Sequence, residues 1–355
     1  MKKKLAFLLA AMMCLTLLAG CGGSSSDSQT DTAGSSGEET KSPTYSWQMA
    51  STETSDRPVT RAMQRFADAV YEATDGDIQI EVVADGLLGD YTTNFEELML
   101  GSLEMQANTI STDYDERLAM TRIPYLCSNY DEVTTNMCEG SFFYNGLNEV
   151  MNDLGVELLS NWPAGFQGIG GKSVGDVSTL FDPTVKQDAI CRVPSIVTTL
   201  ATCEAFGFQT VTIGYSDLYS ALQTGICDCW MGGTDIDTAN NFPDVSSIYV
   251  YANYILATQP AAINKDLYDS LPEDYQRILK DCAEAELSNL CEELPKVTEE
   301  SAKTLEELGI ETYTPTDEEL NSFAKYVRST IWVNVKDMMG EEYLNGLMDA
   351  FNIEH

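Results

Sequence analysis

The chain has 355 residues, with 20 Lys plus Arg against 56 Asp plus Glu, and its single histidine is His355 at the C-terminus. With no internal histidine, Ser-His-Asp and Cys-His relays, imidazole zinc sites and HExxH helices are excluded, because each needs a ring nitrogen in a pocket. A formal net charge of −36 opposes nucleic acid or anionic headgroups as partners, since those are held by neutralising phosphates with Lys and Arg.

The 43% hydrophobic fraction, with 12 Phe, 17 Tyr and 4 Trp, is ample for packed cores and too high for a disordered acidic chain. The length fits about two domains. Residues 1–20 read as an export signal: Lys2, Lys3 and Lys4, then an apolar run over 5–18, then Leu18-Ala19-Gly20-Cys21. That last tetrapeptide has the lipobox pattern of bacterial lipoproteins, which implies lipidation of Cys21 and a chain tethered to the outer face of a membrane. Removal of 1–20 takes away three lysines and no acid, leaving 17 cations against 56 acids, a net −39. Residues 21–44 hold the anchor cysteine and a Gly, Ser, Thr and acid tract without large apolar groups, the composition of a flexible tether.

From Tyr45 on, apolar β-prone runs alternate with amphipathic ones, the pattern of an α/β fold with sheets covered on both faces. Strands are predicted at 45–50, 78–83, 104–110, 155–159, 189–193, 210–213, 227–231, 255–257 and 261–263. A helix is predicted over 61–74, where Met63, Phe66, Ala67, Val70 and Tyr71 recur at helical spacing. Ser270-Leu271-Pro272-Glu273 reads as a capping box opening a long helix through Leu294, with Pro295 kinking or interrupting it and 296–308 continuing the pattern. The stretch from Gly165 to Ser173 ends like a phosphate loop. However, GxxxxGKS requires glycine five positions before Gly171, and that residue is Phe166. It is therefore read as a glycine-rich crossing or turn, with Phe166 and Gln167 facing a cleft.

Outside the signal and anchor, eight cysteines remain: Cys127, Cys138, Cys191, Cys203, Cys227, Cys229, Cys282 and Cys291. They allow up to four bridges in an oxidising exterior, or serve as small buried hydrophobes, the reading preferred for a body of this length. No CxxC pair is present, so no metal site is expected, and no cofactor is called for.

Several segments together resemble the solute-binding proteins of TRAP transporters, the tripartite ATP-independent periplasmic importers of organic acids, in the dicarboxylate-binding DctP-like family. They are Leu88-Gly89-Asp90-Tyr91 with the run from Phe95 to Met105, then Arg122-Ile123-Pro124-Tyr125-Leu126, then Cys191-Arg192-Val193-Pro194, Ala205-Phe206-Gly207 and the run from Leu218 to Asp228, and finally Leu271-Pro272 with Gln276. The resemblance implies a two-lobe, periplasmic-binding-protein-like fold with a ligand cleft between the lobes and long C-terminal helices. It places lobe one at 45–165 plus 258–295 and lobe two at 166–257 plus 296–355. It also implies binding without catalysis, an organic acid as ligand, and TRAP membrane permease subunits as partners.

Between Asn161 and Ala257 the only cations are Lys172, Lys186 and Arg192, and Arg192 alone follows an apolar β-prone run. A guanidinium keeps its charge when desolvated and offers a planar fork to a carboxylate, so it suits an anion shut away from water. In the family the matching arginine makes that salt bridge. Carried across by the same resemblance, Tyr215 is the cleft aromatic, while Tyr91 and Thr109 face the cleft from lobe one. Gln167 and Gly232 stand where sialic acid binders place an Arg and an Asn, which argues against sialic acid. Trp230, with Trp162 and Phe166, is expected to give the pocket an aromatic lining. A binding lipoprotein of an ABC importer or sensor system, and an extracellular hydrolase using paired carboxylates, are the alternatives.

Overall fold

The computed structural model describes residues 42–354, so the expected signal, Cys21 and most of the tether lie outside the described residues. Nine strands form one mixed sheet: β1 Tyr45–Ala50, β2 Ile78–Val83, β3 Met105–Ala107, β4 Val156–Gly171, β5 Ile190–Val193, β6 Gln209–Thr212, β7 Cys229–Met231, β8 Ile248–Asn264 and β9 Glu311–Tyr313. The order is β2-β1-β3-β8-β4-β7-β5-β6, with β9 on the other end of β8. One end, β2-β1, and the other, β5-β6, are parallel, as expected where helices cover the sheet. The antiparallel pair β4 and β8 joins them.

These two crossing strands depart most from the sequence reading. Residues 155–159, 255–257 and 261–263 are fragments of two long strands, and the glycine-rich segment is the second half of β4 rather than a turn. The cause is visible in burial: every β4 residue but Phe166 is buried, so no alternation of polar and apolar faces marks the strand. The glycines answer to crowding as well, since a Cβ at Gly168 would collide with the carbonyl oxygen of Val250 on β8. Register shifts fall between Leu158 and Ser160, Pro163 and Gly165, and Gln167 and Ile169, the middle one at Pro163, which cannot donate to the ladder.

Two main cores sit along the sheet. The first gathers Trp47, Phe66, Phe95, Met105, Trp162 and Leu287, and the second Cys191, Phe206, Met231, Tyr254 and Phe323. Along β4, side chains through Ala164 belong to the first core and Ile169 to the second; along β8 the change falls between Ile255 and Leu256. Residues 296–355 were expected with lobe two; of these, Leu305 and Ile310 join a small separate cluster with Tyr249, and the part from 317 on divides between the two main cores. The helix Asp317–Met339 sets Phe323, Val327 and Ile331 in the second core and Trp332, Val335 and Met339 in the first, and Leu344, Leu347 and Phe351 follow into the first. A capping box between Thr316 and Glu319 starts that helix.

The long helix Glu273–Glu307 runs through Pro295 without ending. The capping box expected at Ser270 does not form: Ser270 closes the short helix Lys265–Ser270 by donating to the Leu267 carbonyl, and Pro272 is the cap of the long helix. All eight cysteines from Cys127 onward are free thiols, six of them buried. Among the described residues no helix is long and apolar enough to cross a membrane, and no cluster of ligating side chains could hold a metal.

Candidate functional site

Arg192 sits on β5 between Val211 of β6 and Trp230 of β7, just before Val193-Pro194 ends the strand. It is only 2% exposed. Its Nε donates to the Ile213 carbonyl at 2.7 Å and Nη1 to the Met231 carbonyl at 3.3 Å, both at the carboxyl ends of neighbouring parallel strands, where open α/β sheets hold ligands. A guanidinium has five N–H donors, so most of this fork is left over. Among the described residues no carboxylate lies within ion-pair distance of it. Burial therefore acts largely uncompensated and pulls the guanidinium below its ordinary pKa.

Gly232, just after β7, lies beside Arg192. Its φ is +108°, a conformation suited to glycine, and a Cβ there would stand 3.1 Å from Pro194 Cδ and 3.6 Å from Arg192 Nη1. Gln167 is buried on β4, where its Oε1 accepts from the Tyr254 hydroxyl at 2.9 Å. Tyr254, on β8, is fully enclosed. Burial pushes its phenol well above the ordinary value, so it stays neutral and gives Arg192 no counterion.

Thr109 follows β3, and its Oγ1 accepts from Arg122 Nη2 at 3.0 Å. Arg122, like Arg192, has no carboxylate within ion-pair distance among the described residues, and burial lowers its pKa too. Tyr91, at the start of the helix Tyr91–Leu100, is 41% exposed and within electrostatic reach of Arg122. Tyr215 begins the helix Tyr215–Thr224, half exposed, with its hydroxyl accepting from Asn241 Nδ2 at 3.0 Å.

The aromatic lining is arranged differently from the expectation. Trp162 is core: it is fully buried, meets Phe66 edge-on, and donates Nε1 to the Ala283 carbonyl of the long helix at 2.8 Å. Trp230 is 1% exposed, packed edge-on to Phe242 and lying under Tyr215. Phe166 is partly exposed against Tyr130, with centroids 5.1 Å apart. Tyr254 and the chemistry of Arg122 escaped the sequence reading. Tyr254 lies in a crossing strand too buried to show a period, and the sequence around Arg122 does not reveal that no carboxylate among the described residues meets it.

A second buried guanidinium, Arg57, is neutralised. Its Nε meets Glu53 Oε2 at 3.0 Å and its Nη2 meets Asp237 Oδ1 at 3.6 Å, while Gln259 Nε2 donates to Glu53 at 2.7 Å. A groove elsewhere, of about 660 Å³, is lined by Glu299, Glu306 and Glu311 with one Lys303, a poor seat for an anion.

Residues 49–334 match the family described as bacterial extracellular solute-binding protein, family 7, DctP. The chain belongs to that family. This family 7 chain is 24% identical over 262 residues to the C4-dicarboxylate-binding periplasmic protein DctP of Rhodobacter capsulatus, covering 71% of this chain and 73% of that one. Its fold matches a TRAP periplasmic solute-binding protein from Desulfovibrio salexigens with bound orotic acid, with a TM-score of 0.76 at 16% identity, over 87% of this chain and 99% of the other. It also matches one from Haemophilus influenzae with bound L-gulonate, with a TM-score of 0.74 at 17% identity, over 86% and 99%. The kinship read from the motifs around Tyr91, Arg122, Arg192 and Leu218 is thus borne out.

Proposed function

We propose that this protein captures an organic acid by its carboxylate at Arg192, on β5 beside the second core, and delivers it to the membrane subunits of a TRAP transporter. The observation that supports this most is the guanidinium of Arg192, buried and, among the described residues, without a carboxylate in a chain carrying 56 acids. Such a charge is costly to hold in a protein interior, and a ligand carboxylate that completes the pair offsets that cost. Family membership and the names of relatives support the same reading: DctP of Rhodobacter capsulatus binds a C4-dicarboxylate, and the neighbours above hold orotic acid and L-gulonate. The protein binds without transforming its ligand. A lipid on Cys21 holds it at the outer face of the membrane, with the acidic tract as tether.

A thermal-shift panel of C4-dicarboxylates, 2-oxo acids, sugar acids and aromatic acids tests the reading. A ligand at a hundredfold excess over its Kd adds about 2.7 kcal/mol to stability, a rise of several degrees in a chain of this size. If no carboxylate moves the melting temperature, and mass spectrometry finds none carried through purification, the proposal fails.

A further inference from the structure

Arg57 lies in the loop 51–57 that leaves the carboxyl end of β1, a strand parallel to β2 and β3. It caps the helix Pro58–Ala73, whose Val59, Met63 and Phe66 are in the first core. Asp237 lies on the helix Asp235–Asn241, which follows β7 by way of Gly232, the glycine beside Arg192. β7 is parallel to β5, and its Cys229 and Met231 are in the second core. Both segments therefore leave carboxyl ends of parallel strands, the edge where open α/β sheets take their ligands. The ion pair of Arg57 with Asp237 reaches from one to the other. Among the described residues it is the only ion pair with a member between 166 and 257.

The pair is arranged so that it can part. Glu53 offers one oxygen, Oε2, to Arg57 Nε at 3.0 Å and keeps the other, Oε1, for Gln259 Nε2 at 2.7 Å. Its loop is fastened on its own side as well: Thr52 N donates to Asn108 Oδ1 at 2.7 Å, and Asp85 N to the Glu53 carbonyl at 2.9 Å. Asp237 divides its carboxylate in the same way. Its Oδ2 accepts from Thr234 N at 2.7 Å and from Thr234 Oγ1 at 3.1 Å, capping its own helix, and Oδ1 alone faces Arg57. At 3.6 Å that last contact is an ion pair without a hydrogen bond. When it opens, Arg57 keeps Glu53 and Asp237 keeps Thr234. Neither charge is stranded, and the Asp237 side chain, already 19% exposed, is within reach of water. Parting thus avoids the heavy penalty of breaking a fully buried pair.

We propose that Arg57 and Asp237 form a separable latch, which closes the loop after β1 onto the helix after β7 and so controls passage to and from the ground beside Arg192. The inference goes beyond the carboxylate reading, because the protein makes this contact with itself, whatever molecule sits between the two segments.

Hydrogen exchange of the full chain, read by mass spectrometry, tests the latch from both ends. Asp237→Asn is expected to speed exchange in residues 51–60 by roughly three- to tenfold, the worth of a part-exposed ion pair. Arg57→Gln does the same in residues 232–241, and the double variant loosens neither segment beyond the single ones. The far segment decides in each case, since a substitution also disturbs contacts on its own side. Peptides 156–164 and 323–331, packed in the cores, keep their rates. Melting temperatures check folding, and Asp237→Ser and Arg57→Met stand in should either variant not fold. No change on the far side overturns the proposal. So does an equal rise in the core peptides, which makes the pair an ordinary stability contact. Stopped-flow tryptophan fluorescence with succinate and with L-gulonate then reads the gate itself, with release from Asp237→Asn roughly three- to tenfold faster. Unchanged release from a variant whose far side has loosened overturns the gating role. If neither acid binds the unaltered protein, the carboxylate reading loses both probes and exchange alone decides the latch.

Discussion

Arg57 and Arg192 are both buried, 8% and 2% exposed, yet the structure treats them in opposite ways. Arg57 is fenced by Glu53 and Asp237 and steadied through Gln259, while Arg192 is held by two backbone carbonyls and faces no acid. Burial of a cation is thus no mark of a binding site. What sets Arg192 apart from Arg57 is the missing counterion among the described residues, together with its place at the carboxyl end of a parallel strand, and these two features carry the proposal that it meets a ligand.

The comparison can be broken at its structural end first. Arg57→Ala takes the cation from Glu53 and Asp237, part-buried acids that then keep only their hydrogen bonds from Gln259 and Thr234, and the expected loss is about 1 to 3 kcal/mol in urea unfolding. A variant as stable as the unaltered protein would show that the Arg57 network holds nothing together. At the binding end, Gly232→Ala forces a side chain into positive φ and against Pro194, and is expected to cost about 1 to 3 kcal/mol of stability. The new methyl would reach Arg192 Nη1 only at ordinary contact distance, 3.6 Å, so ligand affinity is expected to hold; a calorimetric loss of about tenfold or more would show that Gly232 also shapes the site.

Asp235 sharpens the comparison with the opposite charge. Burial pushes its carboxyl up to about 6, with Asp237 adding repulsion, so the folded chain binds this proton more readily than the unfolded one. The folded carboxyl lies above its ordinary value, so the cost of holding it ionised is absent at low pH and grows as pH rises from about 4 through about 6. Asp235→Asn is expected to flatten stability over that window and to raise it at neutral pH by roughly 1 kcal/mol. Melting curves that retain the slope would assign it to another group.

Much of this was legible in the sequence, and the exceptions have physical reasons. Short strands such as Tyr45–Ala50 and Ile78–Val83 stand out because turn residues bound them and one face is less buried. The crossing strands did not, because a segment enclosed on both faces shows no period, and Pro163 followed by four glycines imitates a loop. Trp162 looked like a pocket aromatic by position, yet its side chain faces the long helix, a direction set by strand register that composition does not reveal. Arg192 was readable because strand end, scarcity of other cations and family motif coincided on one residue. Arg122 was quoted as part of a motif, and only the folded structure shows that no acid came to meet it. Pro295 was expected to disturb a helix that instead passes through it; the helix is anchored by Leu294 just before the proline and by Leu305 near its C-terminal end, and these tertiary contacts outweigh the lost hydrogen bond.

The central claim is that Arg192 is charged, buried and reserved for a ligand carboxylate. Calorimetric titration of Arg192→Gln, with a carboxylate that raises the melting temperature of the unaltered protein, tests it most directly. The expected loss is about 2 to 5 kcal/mol of binding, with an unliganded melting temperature that does not fall as that of Arg57→Ala does, since removing an unpaired buried cation relieves a cost. Unchanged affinity in a folded Arg192→Gln protein would contradict the account.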